Sequence, residues 1–166
     1  MRSILVILGL LLCFQIQAQQ TATTPQEPPF KRFPTIPPYE LLGIDSVVHT
    51  KAELTKKPLL LMYFSPSCDH CIQQIGAMTS YWKELADYQI VLATYEPMED
   101  LKGFITRFFL DKQPNLISGR DTKFMLPVFF AMKSLPYLAI YDKKGALITT
   151  FEGTTKMEKV LEALAK

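Results

Sequence analysis

The pattern of apolar and polar positions predicts an α/β domain from residue 39 onward. An unbroken apolar run, Leu59 to Phe64, predicts a central strand buried on both faces, because a strand with one solvent face would alternate. From Asp69 to Asp87 apolar residues recur at three- and four-residue steps, which predicts a helix with one stripe facing the sheet. Gln89 to Tyr95 is a second apolar strand, so we expect a right-handed crossover that makes it parallel to the first.

The pattern is weaker in front of the central strand. Ser46 to Val48 predicts a short edge strand, and Thr50 predicts the cap of a brief helix that ends near Leu54. Residues 19–38 are rich in threonine and proline, and their apolar residues follow neither a helical nor a strand period. This composition predicts a flexible or polyproline-like linker between an N-terminal segment and the domain 39–166.

The least regular stretch is 97–132. Leu101 to Phe109 predicts a helix, Asp111 to Asp121 a polar loop, and Phe124 to Met132 another apolar segment. The many aromatic residues of this stretch could form a partner groove or core, and their helical spacing favours core.

The C-terminal pattern predicts a hairpin followed by a helix. The strands are Tyr137 to Tyr141 and Ala146 to Phe151, and the turn between them ends at Gly145, where a left-handed backbone favours glycine. Thr155 and Glu158 predict a capping box at the start of the last helix.

Composition and charge narrow the class of protein. The 166 residues are 48% hydrophobic and 20% charged, which suits one domain with a real core. The net charge is +2, and loss of Arg2 with the first 18 residues would leave 17 basic and 16 acidic side chains (18 − 1 against 16). Nearly balanced charge does not provide the excess of positive charge that nucleic-acid binding requires.

The N-terminus predicts a secretory signal peptide over residues 1–18. Arg2 supplies the positive charge, Ile4 to Phe14 the apolar region, and Ala18 a small residue at the cleavage site. We therefore expect export, with a soluble periplasmic product. An uncleaved membrane anchor is the alternative, but the apolar run is shorter than the ~20 residues that span a bilayer. Leu12 is too bulky before Cys13 for a lipoprotein signal.

The candidate chemistry lies in Cys68 and Cys71, which would be the only cysteines after cleavage. A bridge over two intervening residues stabilises little, so the pair is better explained by reactivity than by a disulfide framework. Because Cys68 opens the predicted helix, free amides and the helix dipole would stabilise its thiolate. Cys68 is thus the expected attacking thiol, and Cys71, one turn inside, the resolving thiol.

Two residues between the cysteines are candidates for redox tuning. His70 can donate a hydrogen bond or a positive charge to the Cys68 thiolate, which would make the disulfide more oxidising. Asp69 would act in the opposite direction through its negative charge, so the sign of the net effect stays open.

The chain resembles the thioredoxin-like superfamily over roughly Tyr39 to Lys166. The features that carry the resemblance are the strand before Cys68, the Cys-x-x-Cys, Leu135-Pro136 before a strand, the hairpin and the last helix. More closely, it resembles the exported thiol-disulfide oxidoreductases of bacteria. It implies a three-layer fold with a central mixed sheet flanked by helices, and an inserted helical region at about 97–132, because Pro136 lies 65 residues after Cys71.

The resemblance also implies roles for single residues. Pro136 would be cis beside the cysteines, and Leu135 and Pro136 would bind substrate backbone. The sequence departs from the family where a buried acid is common, since Met62 stands there, and Glu96 is the candidate replacement. Ser67 replaces the aromatic residue that often precedes the first cysteine.

The predicted function is thiol-disulfide exchange with protein substrates, favoured as a reductase, with no cofactor and no metal. Such a reductase needs a recycling partner, for which a membrane electron donor is a candidate. An oxidase or isomerase of the same fold is one alternative. A metallochaperone is another, but beyond the motif the chain has only His49, fewer ligands than zinc requires. A binding module without turnover is disfavoured by the intact cysteine pair.

Overall fold

The structure is a computed structural model that describes residues 27–166. The predicted signal peptide, residues 1–18, and the first part of the predicted linker lie outside the described residues. Within 27–166, no helix has the length and apolar character needed to cross a membrane.

One mixed sheet forms the centre of the described fold. Its strands are β1 (Glu40–Leu42), β2 (Val48–Thr50), β3 (Leu59–Tyr63), β4 (Gln89–Thr94), β5 (Leu116–Arg120), β6 (Tyr137–Tyr141) and β7 (Leu147–Glu152). Their order across the sheet is β2-β1-β5-β4-β3-β6-β7. β3, β4 and β5 run parallel, whereas β6 and β7 are antiparallel to their neighbours. The predicted central mixed sheet and the parallel crossover are confirmed.

Helices cover both faces of this sheet. They are α1 (Pro29–Arg32), α2 (Asp69–Ser80), α3 (Trp82–Leu85), α4 (Met98–Arg107), α5 (Met125–Phe130) and α6 (Met157–Leu164), with 3₁₀ turns at Lys51–Glu53 and Leu110–Lys112. The single helix predicted over 69–87 is two helices, because Tyr81 leaves the helical region with φ −115° and ψ 21°.

β3 is buried at all five positions, as its unbroken apolar run predicts. Side chains alternate along a strand, so Leu60 and Met62 join a core with α2, α4 and α6 on one face. Leu61 and Tyr63 join a second core with α5 on the other face. Burying an apolar side chain of this size stabilises the fold by ~1.5–3 kcal/mol. The neighbouring strands β4 and β6 are likewise buried along their whole length.

The predicted polar loop over 111–121 is wrong, because residues 116–120 form β5. This strand pairs in parallel with β4, with Leu116 opposite Ile90. Its sequence lacks a strand pattern at Gly119 because the neighbouring antiparallel strand β1 comes very close there: a β-carbon on Gly119 would lie 2.7 Å from the β-carbon of Leu41. The stretch 97–132 therefore adds a strand to the sheet as well as the helices α4 and α5.

Residues 29–38 pack on the domain, in contrast to the predicted flexible linker. The ring of Phe30 lies 5.9 Å from that of Phe130, and Thr35 forms a β-bridge with Ala146. The Ile36 amide donates to the Gly145 carbonyl at 3.2 Å. Single apolar anchors between prolines have no period, which is why the pattern did not reveal this contact.

The ends of the other elements give mixed outcomes. Thr50 caps the 3₁₀ turn and forms a capping box with Glu53, and the φ of Gly145 is +81° in the hairpin turn, both as predicted. The prediction of a capping box at the start of the last helix is wrong. Thr155 instead donates its amide to Gln74 Oε1 at 2.7 Å, and α6 begins two residues later at Met157.

Candidate active site

The two cysteines lie at the edge of the sheet where four strand ends meet. Tyr63, the last residue of β3, is paired with Ala93 of β4 and with Tyr137 of β6. Thr94 at the end of β4 is paired with Arg120 at the end of β5. Because β6 runs antiparallel to the other three, its first residue meets their last residues. The segments that follow β3, β4 and β5 and precede β6 are thereby brought together.

A tight turn carries the chain from β3 into α2. The Cys68 amide donates to the Ser65 carbonyl at 3.1 Å, and the Ile72 amide donates to the Cys68 carbonyl at 2.9 Å. Cys68 is the N-cap residue of α2 and is partly exposed. Cys68 therefore lies at the end of α2 that carries the unpaired backbone amides and the positive end of the helix dipole.

Cys71 differs from Cys68 in its environment. It has no exposed surface, and both cysteines are free thiols in this structure. Burial raises the pKa of the Cys71 thiol to about 12, against the opposing effect of a hydrogen bond from the Ser65 backbone. Cys68 is thus the accessible sulfur, and Cys71 reacts only after losing a tightly held proton.

Asp69 and His70, the two predicted tuning residues, occupy the first turn of α2 with exposed side chains. The His70 carbonyl accepts a hydrogen bond from Thr154 Oγ1 at 3.4 Å, which ties this turn to the loop between β7 and α6. Solvent screens charges in such positions, so any influence of these side chains on Cys68 is small.

A carboxylate lies beside the motif turn. Ser65 Oγ donates to Glu96 Oε1 at 2.9 Å and lies 3.1 Å from Ser67 Oγ. Glu96 follows β4, and its amide donates to Thr94 Oγ1 at 3.2 Å. The structure therefore brings the candidate acid Glu96 to the residue whose backbone contacts Cys71. Sequence reasoning missed Ser65, and a serine in a turn carries no signal that would have revealed it.

Met62, at the position where relatives often carry an acid, is completely buried in an apolar core. Burying a carboxylate there would carry a large desolvation cost. Glu96, which is only partly buried, avoids that cost.

The Leu135–Pro136 peptide bond is cis. Because Tyr137 is paired with Tyr63, this bond lies opposite the residues that lead from β3 into the motif. The Pro136 carbonyl accepts a hydrogen bond from the Gly153 amide at 2.8 Å. Leu135 is partly exposed and packs against both cores. Both predicted substrate-binding residues thus lie at the same sheet edge as the cysteines.

Two cavities flank this edge, over opposite faces of the sheet. The polar cleft, about 340 Å³, is lined by Pro66, Ser67, Glu96, Glu99, Asp100, Gly103, Phe104 and Arg107. The aromatic pocket, about 140 Å³, is lined by Tyr63, Tyr95, Phe124, Pro127, Met132, Lys133, Ser134 and Leu135. Sequence reasoning assigned no role to Tyr95 or Phe124; an aromatic residue directly after an apolar strand is the only signal that could have drawn attention to Tyr95.

His49 does not lie near the cysteines. It is on β2, at the sheet edge, four strand spacings from β3, or roughly 19 Å at ~4.8 Å each. Its Nδ1 lies 2.7 Å from Glu53 Oε2. Among residues 27–166, no three histidine, cysteine or acidic side chains are grouped so that they could hold a metal ion.

Comparison with known proteins identifies the fold. The chain matches no protein-family model and no curated protein. Solved structures do match it. A secreted disulfide oxidoreductase of Mycobacterium tuberculosis is 14% identical over 76% of this chain and 94% of that chain, with a TM-score of 0.65.

Two further structures have similar scores. The exposed lipoprotein thioredoxin of Streptococcus pneumoniae is 21% identical over 78% of this chain and 98% of that chain, with a TM-score of 0.64. A thiol:disulfide interchange protein of the thioredoxin family from Chlorobium tepidum is 15% identical over 84% and 96%, with a TM-score of 0.67. The described chain therefore has the thioredoxin-like fold, as the sequence resemblance predicts.

Proposed function

We propose that this thioredoxin-fold protein is a thiol-disulfide oxidoreductase that exchanges disulfides with protein substrates through Cys68 and Cys71. The observation that carries the proposal is the asymmetry of the pair. A partly exposed thiol at a helix N-terminus lies one turn from a fully buried thiol, at the edge that also holds Leu135-Pro136. The Cys68 sulfur reacts with the substrate first, and the buried Cys71 sulfur then reacts with the mixed disulfide.

In the reducing direction, the Cys68 thiolate attacks one sulfur of a substrate disulfide. A Cys68–substrate disulfide forms, and the other substrate sulfur leaves as a thiolate and takes a proton. Cys71 then loses its proton and attacks Cys68 Sγ. The Cys68–Cys71 bond forms, the second substrate sulfur leaves and is protonated, and two electrons have passed to the substrate.

The raised pKa of Cys71 makes its deprotonation the demanding part of this sequence. We assign Glu96 as the base that accepts this proton, directly or through one water, because Ser65 holds its carboxylate beside the motif turn at 2.9 Å. Leu135 and Pro136 are assigned to the substrate backbone, and Asp69 and His70 to tuning of the potential.

We favour the reductase direction. The similarity of the fold to the exposed lipoprotein thioredoxin of Streptococcus pneumoniae supports this direction. Oxidase or isomerase activity is the alternative. A reductase must be recharged after each turnover, and we assign this role to a separate partner, with a membrane electron donor as the candidate.

We also propose that the protein is exported and works in the periplasm after cleavage near Ala18. Arg2 and the apolar run that follows support this, and two structural neighbours are named as secreted and as an exposed lipoprotein.

The proposal is tested by trapping the intermediate. Cys71→Ser should accumulate a covalent adduct with a disulfide substrate such as insulin, seen by mass spectrometry and released by dithiothreitol. Cys68→Ser should form no adduct and lower insulin reduction at least a thousandfold, because it lacks the attacking sulfur. An adduct formed by Cys68→Ser, or full turnover by either variant, would exclude the proposed roles.

A further inference from the structure

We propose that the aromatic pocket binds an apolar or aromatic side chain of the substrate polypeptide, close in sequence to its reacting cysteine. The inference rests on the proposed function, because it states which polypeptide disulfides the Cys68 site selects. It adds a specificity site to a centre whose other parts contact only sulfur and backbone.

The pocket adjoins the substrate-binding bond. Leu135 is part of its wall, and Tyr63 of its wall is paired with Tyr137, the residue after Pro136. A polypeptide lying along Leu135 in an extended conformation would direct every second side chain to the same side. A residue near the substrate cysteine therefore reaches the pocket while the cysteine meets Cys68.

The size and chemistry of the pocket suit one ring. Its volume of about 140 Å³ is close to the roughly 150 Å³ at which an apolar cavity binds benzene. The rings of Tyr95 and Phe124 meet edge to face, with centroids 5.5 Å apart, although these side chains are 43% and 49% exposed. Such large exposed aromatic surfaces favour an occupant that removes them from water.

The loop that presents Phe124 is fixed in place. Phe124 has a φ of +51°, a left-handed conformation that is rare for an aromatic residue. Asp121, which is 3% exposed, holds it: its carboxylate accepts the amides of Met125 at 3.1 Å and Leu126 at 2.9 Å, and its carbonyl accepts the Phe124 amide at 3.2 Å. The pocket is therefore formed before any ligand binds, which lowers the entropic cost of binding.

A substrate side chain fits better than a second copy of this chain. A stable dimer buries roughly 800 Å² on each partner, whereas this pocket accommodates a single side chain. The exposed Lys133 and Ser134 form its rim, so the residues beside the inserted side chain would meet polar surface, as at other protein interfaces.

The test compares two disulfide-linked peptide dimers. Both have one cysteine, with either phenylalanine or serine two residues before and two residues after it. The second-order rate of their reduction by the reduced full-length protein is measured from the released peptide thiol. We expect the phenylalanine peptide to react about tenfold faster, the ratio that burial of part of one ring supplies.

Two phenylalanines allow a matched comparison. Phe109 also has a left-handed backbone, with φ +54°, and is 69% exposed, but it lines neither cavity at the site. Asparagine tolerates this backbone conformation, so Phe124→Asn and Phe109→Asn remove the same ring with the same relief of strain. The peptide preference should fall towards one in Phe124→Asn and stay near tenfold in Phe109→Asn. Tyr95→Ser is the second variant if Phe124→Asn does not fold.

Reduction of oxidised glutathione by the unmodified protein separates the possible failures. If glutathione disulfide is reduced but the two peptides react equally, or if both phenylalanine variants change the preference alike, the pocket proposal is wrong and the proposed function stands. If neither glutathione nor peptide is reduced, the proposed function fails as well. A concentration-dependent dimer that Phe124→Asn abolishes, together with equal peptide rates, would assign the pocket to a second copy.

Discussion

Tyr95 and Glu96 are neighbours in the chain, yet they belong to two different cavities at the site. Tyr95 lines the aromatic pocket, and Glu96 lines the polar cleft. They follow β4, and their side chains stay in contact, because the negative charge of Glu96 and a hydrogen bond to its carboxylate raise the pKa of the Tyr95 hydroxyl. One strand end thus supplies the ring that we propose for recognition and the carboxylate that we propose for proton transfer.

The difference between the two cavities follows from the helices that cover the two faces. The polar cleft lies along α4, whose first turn carries Glu99 and Asp100. The aromatic pocket lies along the start of α5, where Asp121 uses its charge to cap the helix and leaves the wall apolar. Because Tyr95 contacts Glu96, Phe124 is the residue through which the proposed substrate selection can be altered apart from the proposed proton transfer.

The largest expected effect is on the polar side. Glu96→Gln should slow release of the substrate from the mixed disulfide about 10²-fold, because the proton acceptor for Cys71 is lost. Without a base, the rate depends on spontaneous ionisation of a thiol whose pKa is about 12, so it should rise about tenfold per pH unit between pH 7 and 9. The unmodified protein should show a shallower rise. Stopped-flow measurement of thiol release from a preformed mixed disulfide gives both values.

Glu99→Gln is the matched control for this prediction, because Glu99 lines the same cleft and pairs with Lys102 at 3.1 Å. Equal slowing in both variants would attribute the effect to the charge of the cleft and contradict a specific role for Glu96.

A smaller effect is expected on the aromatic side. Asp121→Ala removes both carboxylate bonds at the start of α5 and should lower the free energy of unfolding by about 1–2 kcal/mol. Asp121→Asn keeps one acceptor oxygen and should lose less. Urea unfolding monitored by circular dichroism measures both. The phenylalanine preference should decrease with Asp121→Ala, and an unchanged preference in a destabilised variant would show that the pocket does not depend on this cap.

The smallest effect is expected between the two cavities, at the first turn of α2. His70→Ala should make the Cys68–Cys71 disulfide less oxidising, and Asp69→Asn should make it more oxidising. Each shift should be no more than ~30 mV, because both side chains are exposed and screened. Equilibration with glutathione measures the potential. Shifts of the same sign in both variants would contradict an electrostatic origin.

The sequence predicted the parts of the fold that are set by local pattern. The run Leu59 to Phe64 has one interpretation as a buried central strand, and the hairpin turn at Gly145 follows from one residue's backbone preference. β5 escaped prediction in part because its glycine is required by the neighbouring strand β1, which approaches it at Leu41, 78 residues earlier. The failed capping box at Thr155 has the same cause, since Gln74 of a distant helix takes the Thr155 amide.

The sequence by itself determined the pair of sulfurs, their order, and the strand and helix that hold them. These features follow from residues within about twenty positions of each other. Tertiary structure decided what surrounds the pair: the burial of Cys71, the contact of Ser65 with Glu96, and the pocket of Tyr95 and Phe124 beside Leu135. Ser65 and Glu96 are 31 positions apart, and Tyr95 and Phe124 are 29 apart (124 − 95). Only the pairing of β3 with β4 and β6, and of β4 with β5, brings them to one edge.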